Sequence, residues 1–165
     1  MFIGRQEWTY RDHEDYDPNQ IGAISQARVI AALIEAGRFV WTPFVHTALR
    51  SDMLIEEDDG SYARVQAKTG HISKGAVHFP TYSLRAARRE TEWRRVARDY
   101  QGDIDYFGVY CPDNGKVYLV PIKDVPAKRG AKLRIDPPKN NQKKGIRWAE
   151  DYEVHSILQP HKQST

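Results

Sequence analysis

The sequence predicts an α+β domain in which one helix is followed by a meander of strands, a further helix and a closing hairpin. Three observations predict it. A helical stretch ends on Ala36-Gly37. The pair Asp59-Gly60 turns one apolar and polar alternation back on another. Pro112-Asp113-Asn114-Gly115 does the same between two strongly apolar runs.

Taken in order, residues 1–18 are aromatic, acidic and aperiodic and read as an N-terminal arm, with Arg5 and Arg11 set against five acids. Asn19 can cap a helix that runs to about Ala36, with Gly37 as its C′ residue. Ile24, Ala27, Ala31 and Ile34 form a stripe at helical spacing. Ala23, Val29, Ile30 and Leu33 widen it, so burial on more than one side is expected. Residues 39–45 read as a strand, 53–57 as a second and 62–68 as a third, with 70–75 as a loop and 76–79 as a short strand before Pro80. Residues 84–100 read as an arginine-rich helix whose apolar face is Leu84, Ala87, Trp93 and Val96. Residues 106–111 and 116–122 form the second hairpin. Prolines, glycines and lysines then run to about Gln142, residues 148–154 follow, and 159–165 are expected to fray. The domain reading is an arm over 1–18, one domain over 19–154 and a tail over 155–165.

A chain of 165 residues is long enough for one domain with a real core. It has no apolar run of membrane-spanning length. The first residues lack the apolar stretch of a secretion signal. The single cysteine, Cys111, excludes an internal disulfide and sits in an apolar run, where a buried, inert thiol is expected. No Cys/His group has zinc spacing. A reducing, cytoplasmic setting is expected. The net charge of +3 is modest but unevenly spread. Residues 84–98 hold six arginines against two glutamates, and residues 123–147 hold nine Lys/Arg against two aspartates. Two such runs point to a polyanionic partner. Arg85, Arg88, Arg89, Lys143 and Lys144 are the candidate contacts, together with Arg50.

The chemistry lies around the first hairpin. Residues two apart on a strand share a face, so Tyr62, Arg64, Gln66 and Lys68 point one way and Ala63, Val65 and Ala67 the other. The small apolar set suits a core. The polar set ends with an amide beside a cation, across from Asp52. A carboxylate, an oxygen ligand and a lysine are the groups needed to hold Mg²⁺ and to steady an attacking water at a phosphodiester. A loop aspartate beside Arg50, a cross-strand glutamine and a strand-end lysine are the ordinary structural readings of the same residues. Lys68-Thr69-Gly70 also matches one piece of the serine β-lactamase signature, but its S-x-x-K and S-D-N partners are absent. His71 and His78 have no partner at ligand spacing and read as surface histidines.

Four blocks extend the pattern. They are Arg50-Ser51-Asp52, residues 65–70, residues 103–112 with 117–122, and Asn140-Asn141-Gln142 with residues 146–152. In this order, over residues 21–152, they resemble the PD-(D/E)XK endonucleases encoded in group I introns, in a variant where glutamine replaces the second acid. The resemblance implies an αβββαβ core, with a central mixed sheet flanked by helices and a basic C-terminal extension. It implies Mg²⁺-dependent, site-specific cleavage of double-stranded DNA, with Mn²⁺ as a possible substitute, by a homodimer or homotetramer. Asp52, Gln66, Lys68 and Gln26 match its catalytic positions, and Asp52, Gln66 and the carbonyl of Ala67 its metal ligands. Ser25-Gln26 departs from the Gly-Glu pair of that pattern. Asp52 is then the only carboxylate at the matched positions, and weak metal affinity in the absence of DNA is expected. Glu35 lies on another helix face and cannot substitute. Two other functions stay open. One is a Holliday-junction resolvase or structure-selective repair nuclease; the other is a catalytically inactive DNA-binding module.

Overall fold

The computed structural model describes residues 17–45, 49–89, 92–125, 129–137 and 144–158, with the backbone alone at 85–89 and 92–94. The arm over residues 1–16, the block Asn140-Asn141-Gln142, Lys143 and the tail over 159–165 lie outside the described residues.

Helix α1 spans Pro18–Glu35. Its cap is Asp17, not Asn19 as expected. The Asp17 carboxylate accepts from the backbone N–H groups of Asn19 and Gln20 at 2.6 and 3.1 Å, and the Gln20 side chain accepts from Asp17 N–H at 3.1 Å. Pro18 needs no donor at the first helical position, so Asp17-Pro18 starts the helix instead of ending the arm. Gly37, at φ 83°, ends it as expected. The buried face differs from the expected one. Ser25, Val29, Leu33 and Ala36 are buried, whereas Ala23, Ala27, Ala31 and Ile34 are exposed. Alanine at helical spacing also suits a solvent face, so the small residues carried no directional information.

Ten strands follow among the described residues: β1 (Val40–Trp41), β2 (Met53–Glu56), β3 (Tyr62–Thr69), β4 (His71–Ser73), β5 (Ala76–Pro80), β6 (Tyr82–Arg89), β7 (Glu92–Asp99), β8 (Tyr106–Cys111), β9 (Lys116–Pro121) and β10 (Gly130–Arg134). The strand expected over residues 39–45 is only two residues long, and Phe39, Phe44 and Val45 are exposed. The other expected strands are present. So is the Asp59-Gly60 turn, where Gly60 takes φ 79°. The loop expected at 70–75 contains β4, and the basic stretch after residue 122 contains β10.

The central sheet has the order β1-β2-β3-β8-β9. It is mixed. β3 and β8 run parallel, from Val65 opposite Tyr106 to Thr69 opposite Tyr110, and the other neighbours are antiparallel. Parallel neighbours need a long crossover, and a helix usually supplies it. Here strands β4–β7 supply it, which corrects the expected helix over residues 84–100. Among the described residues β6 and β7 pair only with each other, from Tyr82 opposite Asp99 to Arg89 opposite Glu92. The arginines and alanines that suggested a helix have high helix propensity, but the apolar positions are too sparse to seat a helix on the sheet, and pairing prevails.

Three layers result. Val29, Leu33 and Ala36 of α1 pack on Met53, Ile55, Ala63, Val65, Tyr110 and Leu119 on one face of the sheet. On the other face, Phe107, Val109, Cys111, Tyr118 and Val120 pack on Val77, Phe79 and Leu133 of the small sheet β10-β5-β4. Burial on both faces explains the unbroken apolar runs of β8 and β9. Cys111 is free and buried there, and its thiol is pushed up to about 11. Gly108 lets the helix approach the sheet, because a Cβ at that position would stand 2.5 Å from Cγ1 of Val29. The C-terminal segment folds back through bridges from Arg134 to Trp148 and from Tyr118 to Glu153, then a 3₁₀ turn over Ala149–Tyr152 and the short helix α2 (Val154–Ile157).

Candidate active site

β2 and β3 pair antiparallel, with Met53 opposite Val65. That register brings Asp52, just before β2, against the end of β3, and Asp52 N–H donates to Val65 O at 2.9 Å. Ala63 and Val65 turn to the helix side and are buried, as the alternation predicts. Asp52 Oδ2 accepts from the side-chain amide of Gln66 at 2.6 Å and from Ala67 N–H at 2.9 Å. The same Gln66 nitrogen donates to the Ala67 carbonyl at 3.3 Å. A carboxylate oxygen and a carbonyl oxygen thus converge on one point, which the amide nitrogen fills. Burial pushes the Asp52 carboxyl above its ordinary range, while the Ala67 N–H and the Lys68 charge act against that push.

Lys68 Nζ donates to the carbonyl oxygen of Tyr82 at 3.2 Å and to the hydroxyl of Tyr100 at 3.1 Å. Its ammonium lies 4.6 Å from the centre of the Tyr100 ring. Asp52, Gln66, Ala67 and Lys68 are therefore neighbours at one end of β3, on hydrogen-bonded strands.

Arg50 is fully engaged within the fold. Its Nε donates to Asp103 at 2.8 Å, Nη1 donates to Ser83 Oγ at 2.5 Å, and Nη2 donates to the carbonyl of Asp99. The guanidinium also lies 4.1 Å above the Tyr100 ring centre. Arg50 holds the Asp103 carboxyl below its ordinary range. Arg64 does the same for Asp105 through a two-pronged pair at 3.1 and 3.2 Å. Sequence reasoning placed Asp103 and Asp105 in a matching block but gave them no partners. Tyr100 was missed altogether, because it lay inside the expected helix.

Gln26 is half-buried on α1 and has no hydrogen bond to Asp52, Gln66 or Lys68. Its neighbour Ser25 is buried and shares a 2.6 Å hydrogen bond with the hydroxyl of Thr69. The side chains of Arg85, Arg88 and Arg89 lie outside the described residues, as does Lys143; Lys144 is exposed. His71 is exposed and stacks on His78 with ring centres 5.6 Å apart. Among the described residues no group of three or more His, Cys, Asp or Glu is placed to hold a metal ion. Nor is any described helix long and apolar enough to cross a membrane.

A carboxylate at the start of one hairpin strand thus meets an amide and a lysine at the end of the next, within a mixed sheet. A model of the PD-(D/E)XK endonuclease family matches residues 16–155, and the chain belongs to that family. The structure is similar to that of a bacterial homing endonuclease, I-Ssp6803I, with a TM-score of 0.65 and 21% identity over 87% of this chain and 94% of that one. This likeness shows the shared fold. A search of curated proteins gave no match.

Proposed function

We propose that this endonuclease hydrolyses phosphodiester bonds of double-stranded DNA with Mg²⁺, at specific sites in the homing manner. The observation that carries the proposal is the convergence of Asp52 Oδ2 and the Ala67 carbonyl on the Gln66 amide, with the Lys68 charge acting on Asp52. Two hard oxygens aimed at one point fit a hard divalent cation, and rotating the Gln66 amide would present a third. Asp52, Ala67 and Gln66 would hold the ion, and the scissile phosphate completes so lightly charged a set. When bound, the metal polarises the phosphoryl oxygen and lowers the pKa of an attacking water. Lys68 lies beside this point and stabilises charge that grows on the non-bridging oxygens during in-line displacement. Asp52 serves as a ligand in its ionised form, which the Ala67 N–H and the Lys68 charge favour. Gln26 stays a candidate for the helix position of the site.

Duplex DNA as substrate is supported by the family, and the homing mode by the fold shared with I-Ssp6803I. The arginine run on β6 and β7, Lys143 and Lys144 are the proposed phosphate contacts. One domain of this size covers little of a long target, so a homodimer or homotetramer in a cytoplasmic setting completes the reading. A randomised plasmid library, a cruciform plasmid and a linear duplex, each incubated with Mg²⁺, test it together. Cleavage confined to a small set of library sequences is expected. Cutting at the cruciform alone would favour a junction resolvase, and binding with no cutting under Mg²⁺ or Mn²⁺ would favour an inactive DNA-binding module.

A further inference from the structure

Among the described residues the β6–β7 hairpin has no hydrogen-bonded strand beyond its own pair, yet its foot is tied tightly to the site. Both legs take part. Tyr82, the first residue of β6, accepts from Lys68 through its carbonyl. Tyr100, directly after β7, accepts from Lys68 through its hydroxyl. Ser83 and Asp99, one on each leg, both accept from Arg50. Asp52 therefore stands in sequence between two cations, Arg50 and Lys68, that both grip the hairpin foot.

Tyr100 joins these contacts. It is buried, with 4% of its surface exposed, and its ring packs edge-on against Phe107 of β8 at 5.5 Å. Arg50 covers the ring at 4.1 Å. A tyrosine fixed by the core and by a guanidinium offers a hydroxyl that cannot drift. That hydroxyl and the Tyr82 carbonyl are the two acceptors that fix a long, otherwise freely rotating lysine. We propose that Tyr100 is the positioning residue for Lys68, and that through it the seating of the arginine-rich hairpin sets where the catalytic ammonium stands. The proposal rests on Lys68 being catalytic. It adds a residue outside the nuclease motif and a route from DNA contact to the reaction centre.

Tyr100→Phe removes the hydroxyl and keeps the ring under Arg50 and against Phe107. The first test is independent of activity. Limited acetylation of the intact protein, read by peptide mass spectrometry, is expected to modify Lys68 several-fold faster in Tyr100→Phe than in the parent, with other lysines unchanged. Equal Lys68 labelling in the two proteins would overturn the proposal. The second test uses the plasmid cut by the parent protein. Tyr100→Phe is expected to lower kcat roughly 10- to 100-fold, the range for misplacement of a catalytic group. Affinity for the same DNA in Ca²⁺ and Tm should stay unchanged. Unchanged kcat, or a loss confined to DNA affinity or Tm, would also overturn it. Lys68→Ala separates the two levels: full cleavage by that variant would remove Lys68 from the mechanism, while the labelling result would still decide whether Tyr100 holds it.

Discussion

At the scale of single residues, the site is a compromise between folding and chemistry. Asp52 accepts two hydrogen bonds through one oxygen, yet burial still holds its carboxyl above the ordinary 3.8. The folded chain therefore binds that proton more tightly than the unfolded chain. Stability is then lost as pH rises from 3.8 through the raised folded value. Asp52→Asn removes the loss and keeps an oxygen that accepts from Gln66 and Ala67. Thermal unfolding of the metal-free variant is expected to give a higher Tm than the parent at neutral pH and the same Tm at about pH 3, where both states are protonated. A Tm at neutral pH equal to or below the parent's would contradict the account of Asp52. The residue chemistry was legible in sequence because β-strand alternation is simple: Gln66 and Lys68 share a face whatever the surrounding fold. The grip of Arg50 on Asp103, Ser83 and Asp99 was not legible, since it joins residues 33 to 53 positions apart.

At the scale of elements, the helix and the hairpin that precede and follow the site make different demands. Helix α1 needs Gly108, because the Val29 side chain occupies the space a Cβ would take. Valine is stiff at χ1 and cannot swing clear. Gly108→Ala is expected to cost about 1–3 kcal/mol of stability, the usual cost of overpacking, measured by urea denaturation. A neutral result would mean the helix can shift on the sheet without loss. The β6–β7 hairpin carries arginine in place of core residues. Replacing Arg88 and Arg89 with glutamine should lower the slope of log binding constant against log salt by about 1 for each phosphate left without its arginine. An unchanged slope would place the DNA elsewhere. The hairpin also shows where sequence reading fails. Arg and Ala favour helix intrinsically, and only the pairing of Tyr82 with Asp99 and its successors settles the matter. β8 and β9 were legible for the opposite reason: apolar faces on both sides admit little but a buried strand.

At the scale of the whole molecule, the order of blocks along the chain anticipated the family, and the family model spans residues 16–155. The layer on the far face of the sheet was anticipated only in part: β5 was expected, whereas the short strand β4 lies in the expected loop and β10 within a basic run. The packing of β5 and β10 on Phe107, Val109 and Val120 covers β8, and β8 pairs in parallel with the strand end that carries Gln66 and Lys68. The central claim is that this strand end and Asp52 form a metal-dependent phosphodiesterase centre. Its most direct measurement is cleavage of the plasmid library with Mg²⁺ by the parent, Asp52→Asn and Lys68→Ala, with DNA affinity measured in Ca²⁺. The account predicts cutting by the parent that stops on chelation, loss of at least about 10²-fold in rate in both variants, on the scale of removing one electrostatic group from a catalytic site, and DNA affinity within a few-fold of the parent. Cleavage by either variant at the parental rate, or parental cleavage that persists after chelation, would contradict it.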